Sequence, residues 1–236
     1  MGYILFGEKY VKSKLGVTIM SISKYVSDQA SLLQDFCDEV VTLTDFDNKK
    51  YRITLGLIAF NPIFWNVVAR LEHSTHFLTK LAGSAKRGCY LLAATIFSLG
   101  IVRDYFYEAA LREQGVSAML SAPLFKYIGM AYIGLGQLLV LTSMYQLGIT
   151  GTYLGDYFGI LMDHRVTSFP FNYFNNPMYQ GSTSSFLGYA LYHGKPAGLV
   201  AALLVHVMYS IALKFEEPFT AKIYEARASE EAKKQN

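Results

Sequence analysis

Long stretches without charged residues alternate with short polar segments along this chain. Uncharged runs cover residues 53–69, 88–102 and 127–155, and an apolar run covers 197–213. A helix needs about 20 apolar residues to cross the roughly 30 Å hydrocarbon core of a bilayer, and the run at 127–155 exceeds that length. The pattern predicts an all-α membrane protein, a bundle of about four to five transmembrane or re-entrant helices.

The run at 53–69 has a borderline length and carries Asn61-Pro62 at its centre. Proline removes a backbone donor and kinks a helix, so this run is either a kinked span or a re-entrant helix. Before it, charged and apolar residues mix at helical spacing over 21–50, which fits a surface or interfacial helix or a flexible tail. We predict an amphipathic or flexible extension over 1–50, a membrane domain over 51–225 and a polar tail over 226–236.

The last apolar region is interrupted at residues 194–196 by Gly-Lys-Pro. A short helix at 182–193 and an apolar helix at 197–213 then form a C-terminal helical hairpin, or a single tilted span runs through 186–213. The hairpin keeps the polar segment before residue 182 on the same side of the membrane as Glu216-Glu217. The basic residues Lys80, Lys86, Arg87 and the C-terminal lysines fall on that side as well, which the positive-inside rule makes cytosolic.

The composition supports a lipid environment, because 52% of the residues are hydrophobic and only 17% are charged, against about 25% in soluble domains. A net charge of +3 is too small to indicate a nucleic-acid partner. The two cysteines show neither CxxC spacing nor a nearby histidine cluster. We therefore expect no metal site.

Two motifs within the apolar regions are candidates for ligand binding. Gly134-Leu135-Gly136 lies in the longest run, where glycines serve either close helix packing or space for a flat cofactor. Glu216-Glu217 follows the last apolar helix, and acidic residues at a helix C-terminus oppose the helix dipole. A bound ligand with an amino group, a sulfonium or ribose hydroxyls would offset this repulsion.

A third candidate is Asp156, which lies among aromatic residues after the longest run. It is either a cap or turn residue, or a carboxylate that attracts an ammonium group together with the neighbouring rings. Arg165 is a candidate contact for a lipid phosphate. Candidate hydrogen-bonding residues for the same ligand follow along the chain: Asn172, Asn176 and Tyr179.

Five blocks of sequence, in order within residues 55–225, resemble the phosphatidylethanolamine N-methyltransferase family, and most of all its fungal-type members. The blocks are FNPIFWNVVAR at 60–70, GLG at 134–136, GTYLGDYFGIL at 151–161, NPMYQGS at 176–182 and EEPFTA at 216–221. The resemblance implies that the membrane domain is a methyltransferase domain. It also implies S-adenosylmethionine contacts at Gly134, Leu135, Gly136, Glu216 and Glu217.

The implied activity is S-adenosylmethionine-dependent N-methylation of phosphatidylethanolamine derivatives on the way to phosphatidylcholine. The implied partners are the phospholipid substrate and the bilayer, with no metal, in a multi-pass protein of the endoplasmic reticulum membrane; related members also occur at mitochondrial membranes. The headgroup nitrogen would attack the sulfonium methyl in line after losing its proton, and Asp156 and the glutamate pair are candidate bases.

Two other functions remain as alternatives. The Asn-Pro-x-Tyr-x-Gly block and the glutamate pair more distantly resemble the isoprenylcysteine carboxyl methyltransferase group. Its carboxylate acceptor would need cationic contacts, whereas this segment offers acids and aromatic rings. A non-enzymatic transporter or scaffold is the other alternative, but such a protein has no need for paired glutamates at the end of a span.

Overall fold

Helices dominate the computed structural model, which describes residues 24–163 and 166–235, and there is no strand in those ranges. Helix α1 covers residues 24–43. The other elements are α2 (Lys49–Thr75), α3 (Phe77–Ala82), α4 (Ala85–Glu113), α5 (Pro123–Thr152), the 3-10 turn η1 (Gly155–Phe158), α6 (Pro177–Tyr192) and α7 (Pro196–Gln235). The all-α prediction is confirmed.

The chain divides between Thr42 and Leu43 into two compact units. In the first unit, α1 is helical and leaves large apolar side chains such as Leu32 and Leu33 exposed. The helical alternative therefore holds for residues 24–43. An interfacial position for this helix, and the segment boundaries at residues 50 and 225, stay predictions.

Four helices of the second unit are long and apolar enough to cross a membrane. They are Lys49–Thr75, Ala85–Glu113, Pro123–Phe158 and Pro196–Ser229. Helix α2 continues through Pro62 over 27 residues, which corresponds to about 40 Å of helix. This length supports a full span rather than a re-entrant helix for the predicted run at 53–69, and the protein is a multi-pass membrane protein.

Helices α6 and α7 form an antiparallel hairpin. Tyr179 near the start of α6 contacts Glu216 far along α7, and Ser182 contacts Tyr209, so the paired positions run in opposite directions. The connecting turn contains Gly194 at a φ of 62°, a conformation that glycine adopts without steric penalty. The predicted hairpin is confirmed and the single tilted span through 186–213 is wrong.

Helix α7 runs on to Gln235, whereas the sequence predicted that it ends within residues 214–218. Proline at position 218 removes one backbone donor, but contacts made by the following turns hold the helix together. The Thr220 hydroxyl donates to Asp156 at 2.6 Å, and Phe219 stacks on Tyr157 with ring centroids 4.9 Å apart. This tertiary packing outweighs the local effect of the proline.

Glycines bring α5 and α6 into backbone contact. A Cβ atom on Gly136 would lie 2.5 Å from the carbonyl oxygen of Gly181, and one on Gly188 would lie 2.7 Å from that of Gly129. Both distances are too short for any side chain, so the crossing requires glycine at these positions. The close approach fixes α6 against α5 and sets the position of the site residues on α6.

Candidate functional site

A cavity of ≈ 880 Å³ lies among α2, α4, α5, α6 and α7. Ligand pockets in proteins typically measure about 300–1,000 Å³, so this cavity is at the large end of that range. Its walls are mostly apolar, with a small number of polar and charged side chains. The four candidate spans and the short α6 together provide nearly all of its lining.

Glu216 is an acidic residue of the cavity that three hydrogen bonds hold in place. Its Oε1 accepts hydrogen bonds from Trp65 Nε1 and Asn66 Nδ2, both at 2.7 Å. Its Oε2 accepts one from the Tyr179 hydroxyl at 2.5 Å. The residue is only 8% exposed. Its three donors are all neutral, so they fix the carboxylate and leave its negative charge inside the cavity.

The two adjacent glutamates occupy different environments. Glu217 is exposed and does not line the cavity. Its Oε1 accepts a hydrogen bond of 2.9 Å from Asn176 Nδ2, whose residue does line it. Successive residues of an α-helix point about 100° apart. Glu216 therefore faces the cavity while Glu217 lies at its edge.

Asp156 reaches the same cavity from η1. Its Oδ2 accepts a hydrogen bond of 2.6 Å from the hydroxyl of Thr220, which also lines the cavity. Thr220 follows Glu216 by one helical turn of α7, so the two lie on one face of that helix. The structure thus brings together Asp156 and Glu216, which are far apart in the sequence.

The described lining residues carry more negative than positive charge. Four are acidic, namely Asp104, Glu108, Asp156 and Glu216, and one is basic, Arg103. An acidic cavity attracts cationic ligands. In addition, two buried lining atoms, Asn61 Oδ1 and Thr152 Oγ1, have no hydrogen-bond partner among the described residues. Such atoms are candidates for contacts with a bound ligand.

An aromatic cluster lies beside Glu216. The ring centroids of Tyr179 and Tyr209 are 4.8 Å apart, and Trp65 lies 6.1 Å from Tyr209 and 6.4 Å from Tyr179. All three residues line the cavity. Aromatic faces attract organic cations, above all those that shed water easily. The cluster therefore adds to the preference of the acidic cavity for cations.

The glycine motif does not line the cavity. Gly134 and Leu135 are exposed, and Gly136 is buried against α6. The packing alternative thus accounts for Gly136. The motif is nevertheless close to the site along α6, because Gly181, which touches Gly136, is two residues from Tyr179. Cofactor contacts by Gly134, Leu135 and Gly136 stay a prediction.

The remaining candidates divide between the cavity and other places. Asn176 and Tyr179 line the cavity, whereas Asn172 is exposed outside it. Arg165 lies outside the described residues. The predicted contact of Arg165 with a lipid phosphate stays a prediction.

Comparison with known proteins identifies the family. A family model described as "Phospholipid methyltransferase" matches residues 125–227. Phosphatidyl-N-methylethanolamine N-methyltransferase of Saccharomyces cerevisiae is 60% identical over 195 residues, covering 83% of this chain and 95% of that protein. The chain belongs to the phospholipid methyltransferase family. The resemblance noted in the sequence is confirmed.

Other members of the phospholipid methyltransferase family match over similar lengths. Phosphatidyl-N-methylethanolamine N-methyltransferase of Emericella nidulans is 57% identical over 189 residues, covering 80% of this chain and 92% of that protein. Human phosphatidylethanolamine N-methyltransferase is 49% identical over 172 residues, covering 73% of this chain and 86% of that protein. No solved structure matches this chain.

A phospholipid methyltransferase must hold a methyl donor beside a lipid acceptor. Two residues that line the cavity, Trp65 and Arg103, and one beside it, Asn66, were not predicted to act there. Trp65 and Asn66 hold Glu216, and both lie in the block at 60–70 that resembles the family. Arg103 is buried and lines the cavity, although no sequence motif singled it out. An ionisable residue within a membrane-length helix is the signal that points to such a role.

Proposed function

We propose that the cavity is where this enzyme transfers a methyl group from S-adenosylmethionine to the headgroup nitrogen of phosphatidylethanolamine derivatives. The acceptors are the monomethyl and dimethyl forms, and the final product is phosphatidylcholine. The observation that carries the proposal is the Glu216 carboxylate, which three neutral donors hold in the cavity. A negative charge that neutral donors hold in place suits a site that brings two cationic groups together.

The residues present fit S-adenosylmethionine, whose sulfonium and ammonium groups are positively charged. The excess of acidic lining residues complements those charges, and the unpartnered Asn61 Oδ1 and Thr152 Oγ1 offer further polar contacts. We assign Glu216 to holding the donor inside the cavity. Glu217 would contact the donor at the edge of the cavity, and Gly134, Leu135 and Gly136 would contact it beside α6. When bound, the donor supplies an electrophilic methyl group.

The chain's own residues prepare the acceptor nitrogen. An ammonium group must lose its proton before it can act as a nucleophile, and Asp156 lines the cavity as a candidate acceptor for that proton. The hydrogen bond from Thr220 holds the Asp156 carboxylate in place. The aromatic cluster of Trp65, Tyr179 and Tyr209 accommodates the increasingly diffuse cation that each methylation produces. Positioning therefore supplies most of the catalysis.

We assign the enzyme to the endoplasmic reticulum membrane, with mitochondrial membranes as an additional candidate location. The four candidate spans support a multi-pass membrane protein, and the choice of organelle rests on the resemblance to the family. Fractionation of cells that express the tagged chain tests it. Recovery of the protein outside both membrane fractions would contradict the assignment.

The test of the activity is a radiolabelled methyl-transfer assay with the full chain in membranes. The acceptors are monomethyl- and dimethyl-phosphatidylethanolamine, with a prenylated cysteine as the contrasting acceptor. We expect label in the phospholipids alone, and label only in the prenylated cysteine would reject the proposal. Glu216→Gln should lower donor affinity strongly, whereas Glu217→Gln should do so weakly because Glu217 is exposed at the edge of the cavity.

A further inference from the structure

Arg103 is the only basic residue among the described residues that line the cavity. It lies within α4, a candidate membrane span, and its side chain is 11% exposed. Burying an unpaired charge is costly, so such a residue requires compensation. The mechanism described above uses the acidic residues and leaves the purpose of this cation open.

The protein contacts of Arg103 orient it without using all of its donors. Nη1 donates to the Tyr209 hydroxyl at 2.8 Å, and Nε and Nη2 both approach Asp104 Oδ1 at 2.9 Å. The guanidinium also lies 4.9 Å from the ring centroid of Phe186. A guanidinium has five N–H donors, so these contacts leave two for a ligand.

Asp104 compensates the charge of Arg103 only in part. Both contacts fall on the same carboxylate oxygen, so the pair lacks the two parallel hydrogen bonds of a bidentate pair. The Asp104 side chain is also 59% exposed, whereas that of Arg103 is only 11% exposed, so the carboxylate is not enclosed together with the guanidinium. A bound anion would complete the compensation of the buried guanidinium.

Arg103 and Glu216 mark two separate levels of the cavity. Tyr209, which contacts Arg103, precedes Glu216 by seven residues of α7, and this corresponds to about 10 Å along the helix. On α6, Phe186 and Tyr179 give the same separation. This distance accommodates a methyl donor and an acceptor nitrogen, about 3–3.5 Å apart when poised to react, followed by the short ethanolamine arm of a lipid.

The walls near Arg103 suit a lipid rather than a small soluble anion. Three apolar residues of α4 and α5 line the cavity and are also exposed: Phe97, Ile101 and Leu141. In a membrane-spanning bundle, such residues face acyl chains. They provide an apolar path from the bilayer to the level of Arg103.

We propose that Arg103 binds the phosphate of the phospholipid acceptor and thereby sets the depth of its headgroup. Tyr209 and Phe186 position the guanidinium, and its two remaining donors contact the phosphodiester oxygens. The amine then lies between Arg103 and the Glu216 end of the cavity. This assignment rests on the proposed function and adds the phosphate subsite to it.

The test compares Arg103→Gln and Arg103→Lys with the unmodified chain, and Arg52→Gln, at an exposed ion pair with Asp47, is the matched control. KM is measured separately for dimethyl-phosphatidylethanolamine and for S-adenosylmethionine. We expect Arg103→Gln to raise the lipid KM roughly 10- to 100-fold, as for losing hydrogen bonds to a charged group, and to leave the donor KM within about twofold. The lipid KM of Arg103→Lys should lie between those of the unmodified chain and Arg103→Gln.

A second acceptor separates phosphate binding from a structural role. Dioleoyl dimethylaminopropane carries the same tertiary amine and no phosphate. We expect Arg103→Gln to reduce kcat/KM for the phospholipid far more than for this lipid. An equal reduction for both acceptors, or a rise in the donor KM alone, would overturn the proposal. If neither the unmodified chain nor Arg103→Gln methylates the phosphate-free lipid, the effect of Arg103→Gln on the lipid KM and on the donor KM decides.

Direct binding gives a readout that does not depend on turnover. Trp65 is the chain's single tryptophan and lines the cavity, so its fluorescence can report binding of short-chain phosphatidylcholine to the detergent-solubilised protein. Affinity should fall at least about tenfold in Arg103→Gln, and unchanged affinity contradicts the proposal. If Arg103→Gln does not fold, the lipid KM, the donor KM and the phosphatidylcholine affinity of Arg103→Lys decide instead. Absence of methyl transfer by the unmodified chain would instead reject the proposed function.

Discussion

Trp65 and Glu216 lie 151 positions apart in the sequence, and a hydrogen bond of 2.7 Å joins the indole N–H to the carboxylate. This contact connects the middle of the first candidate span to the last. Trp65→Phe keeps an aromatic ring and removes the donor, at a typical cost of about 1.5–3 kcal/mol for a bond to a charged group. We expect the KM for S-adenosylmethionine to rise roughly tenfold or more.

Initial rates over a range of donor concentrations, at saturating lipid, measure this effect of Trp65→Phe. Tyr145→Phe is the control, because Tyr145 is 86% exposed. An unchanged donor KM in Trp65→Phe would show that the orientation of Glu216 does not govern donor binding.

The two glycines of the GLG motif should respond differently to the same substitution. A Cβ atom at Gly136 would lie 2.4 Å from Ser185 Oγ and 2.5 Å from the Gly181 carbonyl oxygen, whereas one at Gly134 meets nothing within 4 Å. Because overpacking typically costs about 1–3 kcal/mol, Gly136→Ala should lower the thermal midpoint in detergent while Gly134→Ala preserves it. Equal midpoints would contradict the packing role of Gly136.

Donor affinity in Gly134→Ala then tests the cofactor contact predicted from the sequence. A protein of normal stability with weakened donor binding would support a contact at Gly134. Normal stability with normal binding would mean that the motif acts through helix packing alone.

Asp156→Asn tests the assignment of the proton acceptor. General base catalysis typically contributes about 10²–10⁴-fold, so kcat should fall at least about 100-fold. The donor KM should change little, because the amide preserves the size and the contact with Thr220. Steady-state rates with dimethyl-phosphatidylethanolamine measure both, and retention of more than about a tenth of kcat would exclude Asp156 as the base.

His193, in the turn of the hairpin, should make stability depend on pH. Burial lowers the pKa of His193, and the positive charges of Lys195, Arg112 and Lys126 lower it further. The negative charge of Glu108 raises this pKa, but the net shift is downward. The folded state therefore prefers the neutral ring. The unfolded chain takes up the proton first as pH falls through about 6.5, so stability decreases below that pH.

Thermal midpoints at about pH 5.5 and about pH 7.5 measure the contribution of His193. His193→Gln should show a smaller difference between the two pH values than the unmodified chain. The same difference in both proteins would assign the pH dependence to other groups.

The sequence predicted the membrane helices and the hairpin because both depend on local patterns. Apolar run length determines which segments can cross a bilayer, and the Gly-Lys-Pro break at 194–196 marks the turn. The end of α7 was predicted wrongly within residues 214–218, because the contacts that carry the helix past Pro218 come from η1. No local pattern contains the Thr220–Asp156 or Phe219–Tyr157 contact.

Some residues of the candidate site were predictable from the sequence, but its geometry was not. The glutamate pair stood out because two acids follow an apolar helix, yet only the structure shows that Glu216 is buried and Glu217 exposed. Arg103 was not predicted as a site residue, because it directly follows the uncharged run at 88–102 and belongs to no motif. Its partner Tyr209 lies 106 positions away in the sequence.

Tyr209, Glu216 and Thr220 all belong to the continuous helix α7. Each residue turns an α-helix by about 100° and advances it by about 1.5 Å. Inserting a single apolar residue between Tyr209 and Glu216 would keep the segment hydrophobic, yet it would swing Glu216 and Thr220 away from their partners. The number of residues between Tyr209 and Glu216 therefore matters more than the identity of each apolar residue between them. Substitutions in this part of α7 can preserve the site, whereas insertions and deletions cannot.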